Sequence, residues 1–131
     1  MASIRNEVPL DASAADVWDA VRDFGALPTR LVPGFVTECK LEGDARVVTF
    51  ANGMVARELL VDCDDKARRL AYAIVGGRAT HYNASVEVLE RGTTGSTLRW
   101  IIDLLPNEMA APVSGMAALG VAAMKKLFNG A

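Results

Sequence analysis

The sequence predicts an α+β domain, a seven-stranded curved antiparallel sheet wrapped around one long C-terminal helix, with two short helices after the first strand. Three observations predict it. Strand-like runs near 35–42, 45–50, 54–64, 69–76, 80–91 and 95–105 follow one another with only short turns between them. One amphipathic segment, NEMAAPVSGMAALGVAAMKKLFNG, follows the last run. A sheet with one apolar face must cover that face, and only this segment is long enough to do so.

Each element has a local reason. Ser3 to Pro9 is a short strand. In DASAADVWDAVRDF, Ser13 is placed to cap a helix, and Asp16 falls in its favourable first turn. Val17, Val21 and Phe24 recur at helical spacing, Trp18 anchors an adjoining stripe, and Gly25 supplies the stop. Pro28 and Pro33 restrict LPTRLVPGF to a short helical turn or loop. Turn chemistry at Glu42-Gly43-Asp44, Asn52-Gly53, Asp64-Asp65-Lys66, Gly76-Gly77 and Arg91-Gly92 separates the later strands, so they form an antiparallel meander. Pro106 ends the last strand. Asn107 is a candidate cap for the final helix, and Pro112 is tolerated there only near the first turn. Met109, Val113, Met116, Gly120, Ala123, Met124 and Leu127 make its apolar stripe, while Lys125, Lys126 and Gly130 suit its C-terminal end.

The 131 residues suit a single domain spanning 1–131, with 51% apolar and 23% charged residues. A formal net charge of −2 and the lack of a basic patch argue against nucleic acid as a partner. Cys39 and Cys63 lie in separate strands and read as reduced thiols. With one histidine and no cysteine cluster, no metal site is expected, and no other cofactor is implied. The N-terminal stretch lacks the apolar core of a signal peptide, and no segment is long and apolar enough to insert in a membrane, so a cytoplasmic protein is expected.

Strand parity assigns inward faces, because alternate side chains share a face. Tyr82, Ala84, Val86 and Val88 oppose His81, Asn83, Ser85 and Glu87, which turns the only histidine away from the interior. Leu70, Tyr72 and Ile74 form one set, and Leu98, Trp100, Ile102 and Leu104 another. The stretch MVARELLVDCDD is undecided. Hydropathy would bury Val55, Arg57, Leu59 and Val61 and expose Ala56, Glu58, Leu60 and Asp62; a bulge would shift the parity partway along.

The order and spacing of several weak motifs resemble one known group. They are Ala15-Asp16-Val17-Trp18 with Val21 and Phe24, Leu27-Pro28 with Pro33, and Val55-Ala56-Arg57-Glu58. Asp64-Asp65 with Arg69-Leu70-Ala71-Tyr72, Gly76-Gly77 before Tyr82, and Ser96-Thr97-Leu98-Arg99-Trp100 complete the set. Together they are similar to the helix-grip superfamily, called SRPBCC or START-like, and most to its polyketide cyclase/dehydrase-like group. The likeness covers nearly the whole chain. It implies a helix-grip fold with a cavity between sheet and helix, and it implies that Glu58 points inward. Plant abscisic-acid receptors share the superfamily, and Glu58, Tyr72 and Tyr82 match pocket positions of theirs. The tight Ala51-Asn52-Gly53 hairpin replaces their proline-containing gate loop, and their ligand-pairing lysine has no counterpart, so a receptor with a closing lid is not expected.

The resemblance implies ligand-binding positions at Leu60, Tyr72, Ile74, Tyr82, Ala84 and Val86 on the sheet. It adds Trp100 and Ile102, and Met109, Val113, Met116 and Gly120 on the last helix. The first functional expectation is binding of a small hydrophobic or amphipathic molecule, lipid- or polyketide-like. The alternative is a cyclase or dehydratase, a lyase or isomerase type of enzyme, with Glu58 as catalytic general acid/base and Tyr72 or Tyr82 donating a hydrogen bond. A third is an interaction protein with a vestigial cavity. Leu59 and Val61, if outward, would offer a patch for a homodimer.

Overall fold

The computed structural model describes residues 2–130. Strand β1 (Ala2–Leu10) leads into helix α1 (Ala14–Arg22) and a wide helical turn at Leu27–Leu31. Strands β2 (Val36–Glu42), β3 (Ala45–Phe50), β4 (Val55–Asp64), β5 (Arg69–Val75), β6 (His81–Arg91) and β7 (Gly95–Leu105) follow, and then helix α2 (Ala110–Asn129). The sheet order is β1-β7-β6-β5-β4-β3-β2, antiparallel throughout. The meander places β2 to β7 side by side, and β1 closes the far edge against β7, as the short turns require.

Ser13 caps α1 as its chemistry suggests, its hydroxyl accepting from the Asp16 amide at 3.1 Å. The helix ends at Arg22 rather than at Gly25. Phe24 is therefore off the helix, which frees its carbonyl for long-range partners. Gly25 instead leaves room for the Leu41 side chain, from which a Cβ there would sit 3.1 Å. At the far end, Asn107 caps nothing. It begins a single 3₁₀ turn, Asn107–Met109, and the following α2 has no side-chain cap; Pro112 falls within its first turn. Gly130 ends α2 in the left-handed conformation at φ +71°.

The inner face of the sheet carries Val8, Leu10, Val48, Leu70, Leu98 and Leu104, all buried, with Val17 and Val21 of α1 packed on them. Trp18 is buried too, and its indole N–H donates to Asp65 at 3.0 Å, so it pins α1 to the β4–β5 turn. The parity assignments for β5, β6 and β7 hold, and His81 is exposed. In β4, Glu58 is 5% exposed while Val55 and Val61 are 62% and 59% exposed. The undecided stretch thus resolves against hydropathy. A bulge does exist, but it falls between Leu60 and Asp62, beyond Glu58. It turns the acidic end outward and returns Cys63 to a position opposite buried Leu70.

Two glycines of α2 meet different surroundings. At Gly120 a Cβ would lie 3.2 Å from the rings of both Phe35 and Trp100, whereas at Gly115 it would meet nothing within 4 Å. Gly120→Leu should therefore lower stability by about 1–3 kcal/mol through overpacking. Gly115→Ala should raise it by up to about 1 kcal/mol through helix propensity. Urea denaturation of the two variants checks the contrast.

Candidate functional site

A cavity of about 420 Å³ lies between the sheet and α2. Tyr72 and Ile74 of β5, Tyr82 and Val86 of β6, and Trp100 and Ile102 of β7 form its sheet wall. Met109, Val113 and Met116 form its helical wall. Nine of the expected positions thus meet around one space. Three do not. Leu60 faces inward but packs against the core beyond the cavity. Ala84 is buried between its cross-strand neighbours Tyr72 and Ile102, whose larger side chains screen its methyl group. Gly120 has no side chain to offer, and the Phe35 and Trp100 rings press against the helix there.

Glu58 also lines the cavity, but its partner is neither tyrosine. The Arg46 Nε donates to Glu58 Oε1 at 2.7 Å, and both side chains are 6% exposed. The antiparallel β3–β4 register sets Arg46 directly opposite Glu58. Arg46 Nη1 also donates to the Phe24 carbonyl at 3.2 Å, and the guanidinium lies over the Phe24 ring at 4.1 Å and the Tyr72 ring at 5.2 Å. These contacts replace much of the hydration the cation loses on burial. Burial pushes the Glu58 carboxyl above its usual range, and Arg46 pulls it back in part. Its second oxygen, Oε2, makes no hydrogen bond among the described residues.

The tyrosines sit beside this pair. The Trp100 indole N–H donates to the Tyr72 hydroxyl at 3.2 Å, which leaves the tyrosine proton for another acceptor. Burial, reinforced by the negative Glu58, holds both Tyr72 and Tyr82 well above the ordinary phenol value. Both are neutral donors across the physiological range. One region of the cavity is therefore polar, with Glu58, Arg46 and two phenols, and the rest of the lining is apolar apart from Arg57 and Arg78.

Several lining residues escaped the sequence reading. Arg46 was recoverable, because a three-residue loop at Ala51-Asn52-Gly53 sets position 46 opposite 58. Leu27, Leu31, Val32 and Phe35 come from the irregular segment after α1, where no periodicity marks them. Phe50 and Val48 continue the Arg46 face of β3. A separate surface depression of about 310 Å³ lies between Trp18, Arg22, Asp65 and Arg68. Its charges are already engaged, Arg22 with Asp65 and Arg68 with Glu90, which makes it a poor ligand site. Among the described residues no group of three or more potential metal ligands occurs, and no helix is long and apolar enough to cross a membrane.

An open antiparallel sheet gripping one long helix, with an apolar cavity between them, defines a helix-grip fold. The chain belongs to the family described as polyketide cyclase / dehydrase and lipid transport, whose model matches residues 1–130. Its fold is similar to that of an uncharacterised protein from Bacillus thuringiensis, with 24% identity, TM-score 0.86 and coverage of 98% of this chain and 99% of that one. A START superfamily protein from Mycobacterium smegmatis is similar at 15% identity and TM-score 0.78, over 97% of both chains. A norcoclaurine synthase point mutant from Thalictrum flavum, in complex with a transition-state analogue, is similar at 23% identity and TM-score 0.73, over 96% of this chain and 92% of that one. At these identities the likeness carries the fold alone. No curated protein matches the chain significantly.

Two predictions follow from the geometry. Arg46→Met or Glu58→Leu alone strands one buried charge and should cost about 3–5 kcal/mol, whereas the double variant should recover most of the loss; a thermodynamic cycle by chemical denaturation measures this. The second concerns pH. Unfolded tyrosines ionise near pH 10.0, but in the folded chain both phenols keep their protons above that value. The folded state then binds more protons than the unfolded one, so stability falls as pH rises past 10.0. These are the only two tyrosines in the chain, so phenolate absorbance should stay absent in the native protein and appear together with unfolding.

Proposed function

We propose that the cavity binds a small hydrophobic or amphipathic molecule of lipid- or polyketide-like character. The observation that carries this reading is the cavity itself: about 420 Å³ of largely apolar-walled space with a buried polar cluster of Glu58, Arg46, Tyr72 and Tyr82. That volume falls in the usual range of small-molecule sites, about 300–1,000 Å³, and such sites combine apolar walls with a few placed polar groups. The apolar walls would supply affinity, while Glu58 Oε2 and the tyrosine hydroxyls would orient a hydroxyl or carbonyl group of the ligand. Met109 and Met116 lend the helical wall adaptable side chains.

A second reading has its own support. The Glu58 carboxyl is raised by burial, has one unbonded oxygen, and stands near two neutral phenols. That set suits proton removal next to a carbonyl, with a phenol bonding the developing oxyanion, as in a cyclase or dehydratase. The link to Arg46 weakens it as a base relative to an unpaired buried carboxylate.

Native mass spectrometry of the purified protein identifies any retained molecule. Val113→Trp fills the cavity from the helical side and should weaken dodecanol binding by about tenfold or more, a change of about 1.4 kcal/mol. Unchanged affinity would place binding outside the cavity. Glu58→Gln separates the two readings: lost turnover of the retained molecule with binding preserved supports the enzyme, and preserved turnover removes Glu58 from the chemistry.

A further inference from the structure

The cavity lining has a charge imbalance that the rest of the chain does not share. It contains three arginines, Arg46, Arg57 and Arg78, against a single acid, Glu58. The chain as a whole carries a formal net charge of −2. Two of the three cations are answered. Arg46 is bound to Glu58 inside, and Arg57 Nη1 is bound to Glu42 on the outer side of the sheet. Arg78 is not. It is exposed on the β5–β6 turn, just after Gly76 and Gly77, and it makes no hydrogen bond or ion pair among the described residues. No acid occurs in the chain between Asp65 and Glu87, so none is available from its own hairpin. Glu108, beside Met109 at the start of the helical wall, is exposed and outside the lining.

The buried and the exposed charges of the lining therefore prefer different chemistry. The buried Glu58 carboxylate repels anions, and the Arg46 charge that would attract them is spent on Glu58. At the mouth, Arg78 stands at the edge of a low-dielectric wall made by Val75, Ala79 and Ile74, where its field is focused rather than fully screened. We propose that the ligand is an anionic amphiphile, a carboxylic acid with an apolar body. Its carboxylate meets the Arg78 guanidinium at the mouth, and its body lies along the sheet toward Tyr72 and Trp100. This inference rests on the cavity being a ligand site, and it adds the ligand's charge and orientation.

The test compares laurate, dodecanol and dodecylamine, which share a chain and differ in head group, by isothermal titration calorimetry on the full chain. Laurate should bind about three- to tenfold more tightly than dodecanol, the effect of one charged hydrogen-bonded contact at a partly exposed site. Dodecylamine should bind more weakly than either. Added salt should erode the laurate preference. In Arg78→Gln the preference for laurate over dodecanol should fall toward parity, and Arg78→Lys should restore part of it. Equal affinities for laurate and dodecanol in the wild type, or a preference that survives Arg78→Gln, would overturn the assignment of the anion to Arg78 while leaving the cavity as a ligand site. Failure of all three molecules to bind would overturn this inference and the ligand-site reading together.

Discussion

The structure depends most on one buried ion pair, Arg46 with Glu58. Two charges cannot be taken out of water unless each finds compensation inside. Here the compensation comes from three separate parts of the chain. β4 provides the carboxylate, β5 provides the Tyr72 ring, and the segment after α1 provides both the Phe24 ring and its carbonyl. Satisfying one guanidinium therefore fixes the β3–β4 register and docks the segment following α1 onto the sheet. A register slip of one residue between β3 and β4 would put Arg46 and Glu58 on opposite faces, leaving one of the two charges buried without its partner. In energy the pair contributes little over a well-packed apolar substitute; its value lies in excluding that alternative pairing.

The cavity follows from the same constraint. Helix α1 stops at Arg22, which leaves the Phe24 carbonyl free for Arg46 and sends the chain across the sheet through Leu27, Leu31 and Val32. That segment covers one side of the inner face. On the other side Gly120 lets the Phe35 and Trp100 rings come close to the backbone of α2. The sheet and α2 meet closely there and leave unfilled space beyond. The ion pair supplies the buried polar region of that space, and burial, reinforced by its carboxylate, keeps the neighbouring phenols neutral.

Much of this was legible in the sequence, and the failures have physical causes. The meander could be read because every turn carried its own Gly, Asn or Asp signal. The faces of β5, β6 and β7 could be read because large and polar residues alternate along them without interruption. β4 could not, because its outer face carries Val55, Leu59 and Val61, which mimic a core pattern while Val55 and Val61 are largely exposed. Likeness to a known family put Glu58 inward, and the coordinates agree. Arg46 was overlooked because a charge in a strand reads as solvent-facing unless its cross-strand partner is considered as well. Leu60, Ala84 and Gly120 were placed on the correct face, yet face parity does not say how far a cavity extends or which neighbour overshadows a small side chain. Helix ends were the least legible: neither Gly25 nor Asn107 terminates anything, because tertiary contacts at Phe24 and the 3₁₀ turn decide those boundaries.

The central claim is that Glu58 is buried in the polar region of a cavity open to small molecules. The most direct measurement is a carboxyl-carbon NMR titration of Glu58 in the intact protein, with and without dodecanol. Glu58 should titrate above the ordinary glutamate range, and its resonance should move when dodecanol enters the cavity. A Glu58 carboxyl that titrates within the ordinary glutamate range and ignores dodecanol would contradict it.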